Sequence, residues 1–360
     1  MTADQPRKPG VVAVARAAGV SPSTVSNAFN RPERLTPQLR ERVLRTAAEL
    51  GYGGPDPAAR SLRQGRAGAI GVILGRLLAD SFDDAATAEF LKGVSDATDP
   101  QQLALVLVPG MPDEVTSDGP AVRNAAVDGL IVFSLPGDDP LIDAVRRRNL
   151  PTVFVDSPAT GAGTDFVGID DVGGAEAAVR HLLDLGHRRL AILSFGLSDD
   201  ARPGPIDVTQ HAHATATVTK ARLEGAARAV AAAGIDPASV PVEQLPIVNA
   251  DLARTATHAL LDRAPGTTAL FAFSDRLALA ARQVARERGL SVPGDLSIVG
   301  FDDIAPAGEG LTTVHQPLRD KGRIAAQRLL GALGDQAPPE GSAVLPTRLV
   351  IRDSTGPPGA

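Results

Sequence analysis

Past Arg66 the chain alternates short apolar runs with longer amphipathic ones. The runs AIGVIL, LALVLV, GLIVF, TVFVD, LAILSF, ALFAF and LSIVGF are too short for helices and too continuous for half-exposed strands, so they predict strands buried on both faces. Between them, stretches such as Gly174–Leu185 and Ser274–Arg288 carry apolar residues at helical spacing and predict the crossovers. Strands alternating with helices make a doubly wound parallel sheet, and there are enough strands for two. The first fifty residues follow another pattern, helical throughout. Two helix starts share one device, Ser21-Pro22 and Thr36-Pro37, a hydroxyl N-cap before Pro at the first helical position. After Thr36, the residues Leu39, Val43, Ala47 and Leu50 fall on one face, and Gly51 is placed to stop the helix. After Ser21, Val25 and Phe29 face the core and leave Pro22, Ser23, Ser26, Asn27 and Asn30 outward. The fold class expected is α/β, with an N-terminal all-α head and two doubly wound α/β lobes.

Charge separates the same regions. Residues 1–66 carry net +6 and the remainder net −12, a basic head on an acidic body. That asymmetry fits nucleic acid as the partner of the head. The chain holds no Cys, which removes disulfides, thiolate metal sites and cysteine nucleophiles. No apolar run is long enough to span a bilayer, and the start, MTADQPRKPGVVAVARAAGV, lacks the apolar core of a secretory signal, so the expected location is the cytoplasm, with no membrane partner. The Pro/Gly-rich stretch Gly51–Gly68 reads as the boundary between head and body, and Gly334–Ser342 as a late surface connection.

A short helix with a small polar face, preceded by another helix and a turn at Gly19, is the arrangement that enters a DNA major groove. The stretch VAVARAAGVSPSTVSNAFNRPERLTPQLRERVLRTAAELGY, and within it AGVSPSTVS, resembles the DNA-binding head of the LacI/GalR family of bacterial transcription regulators. The resemblance continues through AARSL, similar to that family's hinge helix, and through FVGIDD, LGHRRLAIL, RLEGAARAV, FAFSDRLALAA, LSVPGDLSIVGFDD and LTTVHQP to nearly the whole chain. It implies lobes like those of periplasmic sugar-binding proteins, a homodimer, double-stranded operator DNA as partner, a repressor's role and a small-molecule effector bound between the lobes. It implies base reading by Pro22, Ser23 and Asn27, with Ser21, Thr24, Ser26 and Asn30 beside them, and a minor-groove wedge from Leu62, next to Arg60, in the hinge. Ala13 stands where the family usually has Asp, Asn27 where many members have Arg, and GYGGPDP carries an extra residue before the hinge. Asn pairs best with adenine and Arg with guanine, so the operator sequence of better-known relatives does not carry over to this chain.

The domains expected are a head at 1–54, a hinge at 55–66 and a body at 67–360, with one lobe at about 67–167 plus 313–334 and the other at about 168–312 plus 342–354. By motif position, Arg222, Ser274 and Asp302 correspond to effector contacts, and Asp170, Asp275 and Asn249 to weaker ones. Each Asp has a plainer role as a helix cap or turn residue. The segment 197–221 is longer than the corresponding loop of familiar members. Within it, His211 and His213 lack a third ligand, so neither metal nor cofactor is expected; His187 reads as a turn residue. Two other classes fit less well. A transport-type binding protein would share the body but not the basic head, and an enzyme would need a nucleophile elbow, phosphate loop or triad that the sequence does not show.

Overall fold

The computed structural model describes residues 9–55, 65–75, 78–109, 119–157, 165–198, 200–246, 249–308, 310–334 and 342–359. It divides into two compact units, 1–68 and 69–360.

In the first unit, α1 (Val11–Ala18), α2 (Pro22–Asn30) and α3 (Pro37–Glu49) enclose Val14, Ala15, Val25, Ala28, Val43 and Ala47. Gly19, at φ +63°, closes α1 in the left-handed conformation that glycine adopts without a Cβ penalty. Both expected caps form: the Thr24 amide donates to Ser21 Oγ at 3.1 Å and the Leu39 amide to Thr36 Oγ1 at 3.4 Å. Arg40 Nε donates to the Ala28 carbonyl at 3.3 Å and ties α3 to α2. Phe29 meets Tyr52 edge to face, 5.8 Å between centroids. Leu50, expected on the inward face, is 37% exposed because α3 has already ended at Glu49.

The second unit holds two sheets. The first lobe is entirely parallel, in the order β12-β5-β4-β3-β1-β2, from β1 (Ala69–Leu74), β2 (Ala104–Pro109), β3 (Gly129–Phe133), β4 (Thr152–Val155), β5 (Asp165–Ile169) and β12 (Ala343–Leu345). The second runs β13-β11-β10-β9-β6-β8-β7, from β6 (Leu190–Phe195), β7 (Gly204–Asp207), β8 (Pro241–Leu245), β9 (Ala269–Ala272), β10 (Ser297–Asp302), β11 (Thr312–His315) and β13 (Arg348–Val350). Only its edge strands β7 and β13 are antiparallel. All seven apolar runs picked out by pattern became strands.

Two lobe boundaries need correction. Thr313–His315, assigned to the first lobe, belong to β11, which pairs with β10 of the second lobe through Gly300↔Thr313. Residues 343–345, assigned to the second lobe, pair with β5 through Ala343↔Val167. Strands this short carry no periodicity of their own, so only pairing decides where they belong. The chain therefore passes between lobes after Ile169, between His315 and Leu318, and between Leu345 and Arg348.

Helices α5 (Ala85–Thr98) and α12 (Leu318–Leu333) cover one face of the first sheet, and α8 (Asp171–Asp184) packs on α9 (Thr217–Ala232) in the second lobe. Glycines permit both close crossings. A Cβ on Gly322 would stand 2.0 Å from the Phe90 carbonyl oxygen, and one on Gly225 2.2 Å from that of Val172. Helices α10 (Ala250–Arg263) and α11 (Asp275–Glu287) complete the second lobe. His187, expected as a turn residue, is buried and structural: its ring bonds Thr268 Oγ1 at 2.9 Å, Ser297 Oγ at 3.1 Å and the Gly356 carbonyl at 2.9 Å.

Candidate functional site

On α2 the core side is Val25 and Ala28, and Ser21, Pro22, Ser23 and Asn30 are exposed on the other. Ser21 Oγ lies 2.7 Å from Ser23 Oγ and 2.8 Å from Thr24 Oγ1, a hydroxyl cluster at the helix start. There the unsatisfied amides and the positive end of the helix dipole favour a phosphate. Asn30 donates to the Ser26 carbonyl at 3.0 Å and to Ser26 Oγ at 3.4 Å, so it is turned onto its own helix. The half-buried Asn27 makes no side-chain hydrogen bond among the described residues, which leaves its amide free for a base edge. Arg60 and Leu62 lie outside the described residues.

In the body, Asp170, Asn249, Ser274, Asp275 and Asp302 sit at or just past the carboxyl ends of strands, where doubly wound sheets hold ligands, and Arg222 lies within α9. Several also act as caps. Asp170 Oδ1 accepts from the Gly173 amide, Ser274 Oγ from the Leu277 amide and Asn249 Oδ1 from the Leu252 amide, each opening a helix. Asp275 is fully buried between elements: Oδ2 accepts from the Ile304 amide at 2.9 Å and Oδ1 from Thr313 Oγ1 at 2.5 Å. Burial pushes its pKa up to about 7 against these donors.

Arg222, on α9, and Asp302, at the end of β10, both come from the second lobe. Arg222 is 3% exposed. Its Nε donates to Asp171 Oδ1 at 2.8 Å, its Nη1 to the Phe273 carbonyl, and its guanidinium lies 3.5 Å above the Phe301 ring centroid. Nη2 has no partner among the described residues. Asp302 ends β10 at φ +123°, a conformation that non-glycine residues rarely hold and that concentrates at functional sites. Burial drives its carboxyl well above the usual range, opposed by the Arg222 charge. Asp302 Oδ1 accepts from Gln316 Nε2 at 2.6 Å, and Gln316 Oε1 accepts from Lys321 Nζ at 2.6 Å. Lys321 also donates to Asp156 Oδ2 at 2.5 Å. A buried polar chain thus runs from Asp156 at the end of β4 and Lys321 on α12, through Gln316 in the crossover, to Asp302 in the second lobe. The sequence reading did not identify Asp156, Asp171, Gln316 or Lys321. One signal was present: Lys321 falls on the apolar stripe of α12 with Leu318, Ala325 and Leu329, where a lysine must find a buried partner.

Beside this chain is a cavity of about 160 Å³ walled from the first lobe by Asp156, Phe166 and Val344, and from the second by Asp171, Thr217 and Ala221. A larger depression of about 530 Å³, with Arg188, Arg189 and Arg263 on its rim, opens at the amino ends of the second lobe's strands, away from these residues. Segment 197–221 adds the edge strand β7 and a 3-10 turn capped by Asp207, with His211 bonded to the Val208 carbonyl. No group of three or more metal-ligating side chains occurs among the described residues.

Residues 13–54 match the model of bacterial regulatory proteins of the lacI family, and residues 179–355 that of a periplasmic binding protein-like domain. The HTH-type transcriptional regulator Rv3575c of Mycobacterium tuberculosis is 40% identical over 362 residues, 98% of each chain. The chain belongs to the LacI family of bacterial regulatory proteins. This regulator also resembles solved structures along most of its length. A complex of the transcriptional regulator CelR with cellobiose is 29% identical, covers 96% of this chain and 99% of that one, and superposes with a TM-score of 0.69. The lac repressor dimer bound to operator and the anti-inducer ONPF is 26% identical, covers 97% and 100%, and superposes with a TM-score of 0.76. No helix among the described residues is long and apolar enough to cross a membrane.

Proposed function

We propose that this regulator is a homodimeric, cytoplasmic repressor that reads operator DNA with α2 and is switched, without chemical turnover, by a sugar or similarly polar metabolite between its lobes. The observation that carries this reading is the buried polar chain from Asp156 to Asp302. It joins two lobes that are otherwise separate sheets, so a ligand that repartners it changes how the lobes meet. Arg222 through Nη2, Asp302 and Asp171 are the groups placed for that ligand, with Asp170 and Ser274 as caps that hold the surrounding helix starts. The CelR–cellobiose and lac repressor–operator structures support both halves of the reading. Only a difference in affinity between two conformations lets an effector shift operator binding, so the effector must bind one lobe arrangement better. Fluorescence anisotropy with DNA fragments from around the chain's own gene tests it. The full chain should bind a pseudo-palindromic site, and a neutral sugar or polyol that raises the melting temperature of the body should change that affinity. DNA binding insensitive to every compound bound between the lobes would overturn it.

A further inference from the structure

We propose that segment 197–216 is a strap that latches the cleft, through a hydrogen bond from the Gly137 amide of the first lobe to the Thr215 carbonyl of the second, and that this latch sets how often the lobes part whether or not a ligand lies between them. The bond is 3.1 Å long and uses main-chain atoms alone. The strap itself belongs wholly to the second lobe. The Leu197 amide donates to Gln244 Oε1 at 3.1 Å, and the Leu197 carbonyl accepts from the Thr215 and Ala216 amides at 2.9 and 3.0 Å, so the two ends of the strap are tied together at its neck. Between them β7 pairs with β8 through Ile206↔Val242, Asp207 caps the 3-10 turn Val208–His213, and Val208 is buried in the core of the second lobe. Thr219 Oγ1 donates to the Gly196 carbonyl at 2.9 Å and fixes the start of α9 to the same neck. A segment held in this way moves with the second lobe.

The first-lobe side is held as firmly. Gly137 lies in the loop after β3, where the Ser134 amide donates to the Val155 carbonyl at 2.8 Å, the Leu135 amide to the buried Ser157 Oγ at 2.7 Å, and the Asp139 amide to the Pro136 carbonyl at 3.2 Å, closing a turn over 136–139. Two rigid loops that meet at one hydrogen bond are either joined or parted, because packed elements are bistable and do not deform continuously. They meet beside the cavity: Thr217 and Ala221, just past Thr215 on α9, form part of its wall. Gly137 and Thr215 are both exposed, so parting them uncovers little surface. One neutral hydrogen bond then changes the ratio of joined to parted lobes about two- to tenfold. The lobes are also tied by side chains, through the chain from Asp156 to Asp302 and by Arg276 Nη1 of α11 with Asp84 Oδ1 at the start of α5, 4.0 Å apart. Those ties use charged groups that a ligand repartners; the strap does not, and so biases the lobes in every ligand state.

The chain has no Cys, so a single introduced thiol reports opening. Ile169→Cys places it in the cavity wall, at a residue 8% exposed, and Ile192→Cys in the second-lobe core, at a residue 1% exposed. Gly137→Pro removes the donor at a turn position where proline is favoured, and Gly137→Ala adds a side-chain carbon but keeps the donor. In the full chain, a thiol reagent should label Ile169→Cys about two- to tenfold faster with Gly137→Pro than with Gly137→Ala or the native loop. Labelling of Ile192→Cys should be equal in all three. In the native chain, hydrogen exchange resolved to single amides should find Gly137 protected about tenfold or more despite its exposure. An unprotected Gly137 amide, equal labelling of Ile169→Cys with Gly137→Pro and Gly137→Ala, or acceleration at Ile192→Cys as large as at Ile169→Cys would overturn the latch. No ligand or operator enters these measurements, so their outcome is separate from that of the effector reading.

Discussion

Arg222 and Asp302 were both expected as effector contacts, and their surroundings assign them different tolerances. Arg222→Ala leaves Asp171 buried without its counter-ion, a change that destabilises by about 3–5 kcal/mol when a buried pair is broken on one side. Asp302→Asn keeps the shape and an oxygen to accept from Gln316, so the fold should survive while the response of operator binding to effector is lost. Urea unfolding and anisotropy on the two variants separate these outcomes; an Asp302→Asn protein that still responds fully would place the effector elsewhere. Asp275 gives a prediction with a fixed sign. Its folded pKa of about 7 lies above the ordinary 3.8, so the folded chain retains a proton that the unfolded chain has released. The stability this group contributes is complete below the unfolded value and is lost as pH rises through about 7. Asp275→Asn does not titrate, and the stability advantage of the native chain over this variant should shrink from pH 5 to pH 8 in urea titrations. An advantage that grows with pH would contradict the assignment.

Helix pairs are the elements on which the cleft is mounted. Helix α12 carries Lys321 and lies against α5 so closely that Gly322 has the Phe90 carbonyl where a Cβ would stand. Gly322→Ala must separate the helices. Overpacking of this kind costs roughly 1–3 kcal/mol, read as a lower melting temperature, and it moves Lys321 relative to Asp156. Gly331→Ala, on the same helix with nothing within 4 Å of the added carbon, is the control and should be neutral or slightly stabilising. Equal melting temperatures for the two variants would show that the crossing is looser than its geometry states.

For the whole molecule, the electrostatic division between head and body governs DNA binding. A head of net +6 that neutralises phosphates releases counter-ions, so operator affinity should fall steeply and linearly with log salt. A fragment beginning at Ala69, the start of the second unit, should keep effector binding and lose DNA, because the body alone carries net negative charge. Equal DNA affinity for fragment and full chain in a salt titration would remove the head from recognition.

Local interactions made much of this molecule readable from its residues alone. Ser21-Pro22 and Thr36-Pro37 set two helix starts through atoms three residues apart, and runs such as AIGVIL became buried strands because continuous apolar sequence has to leave water on both faces. The polar face of α2 and the strand ends bearing Ser274, Asp275 and Asp302 were legible for the same reason, whereas Arg222, inside α9, came only from the family resemblance. Tertiary structure decided the rest. β11, β12 and β13 are three or four residues long, and their membership came from pairing with strands far away in sequence. Asp171 was hidden beside Asp170 until Arg222, 51 residues later, was seen to choose it. The contact of Asp156 with Lys321 spans 165 residues, and no local pattern encodes the partner of a buried charge. Propensity and periodicity act over a few residues and fix elements; the cost of burying charge acts across the folded chain and fixes the site.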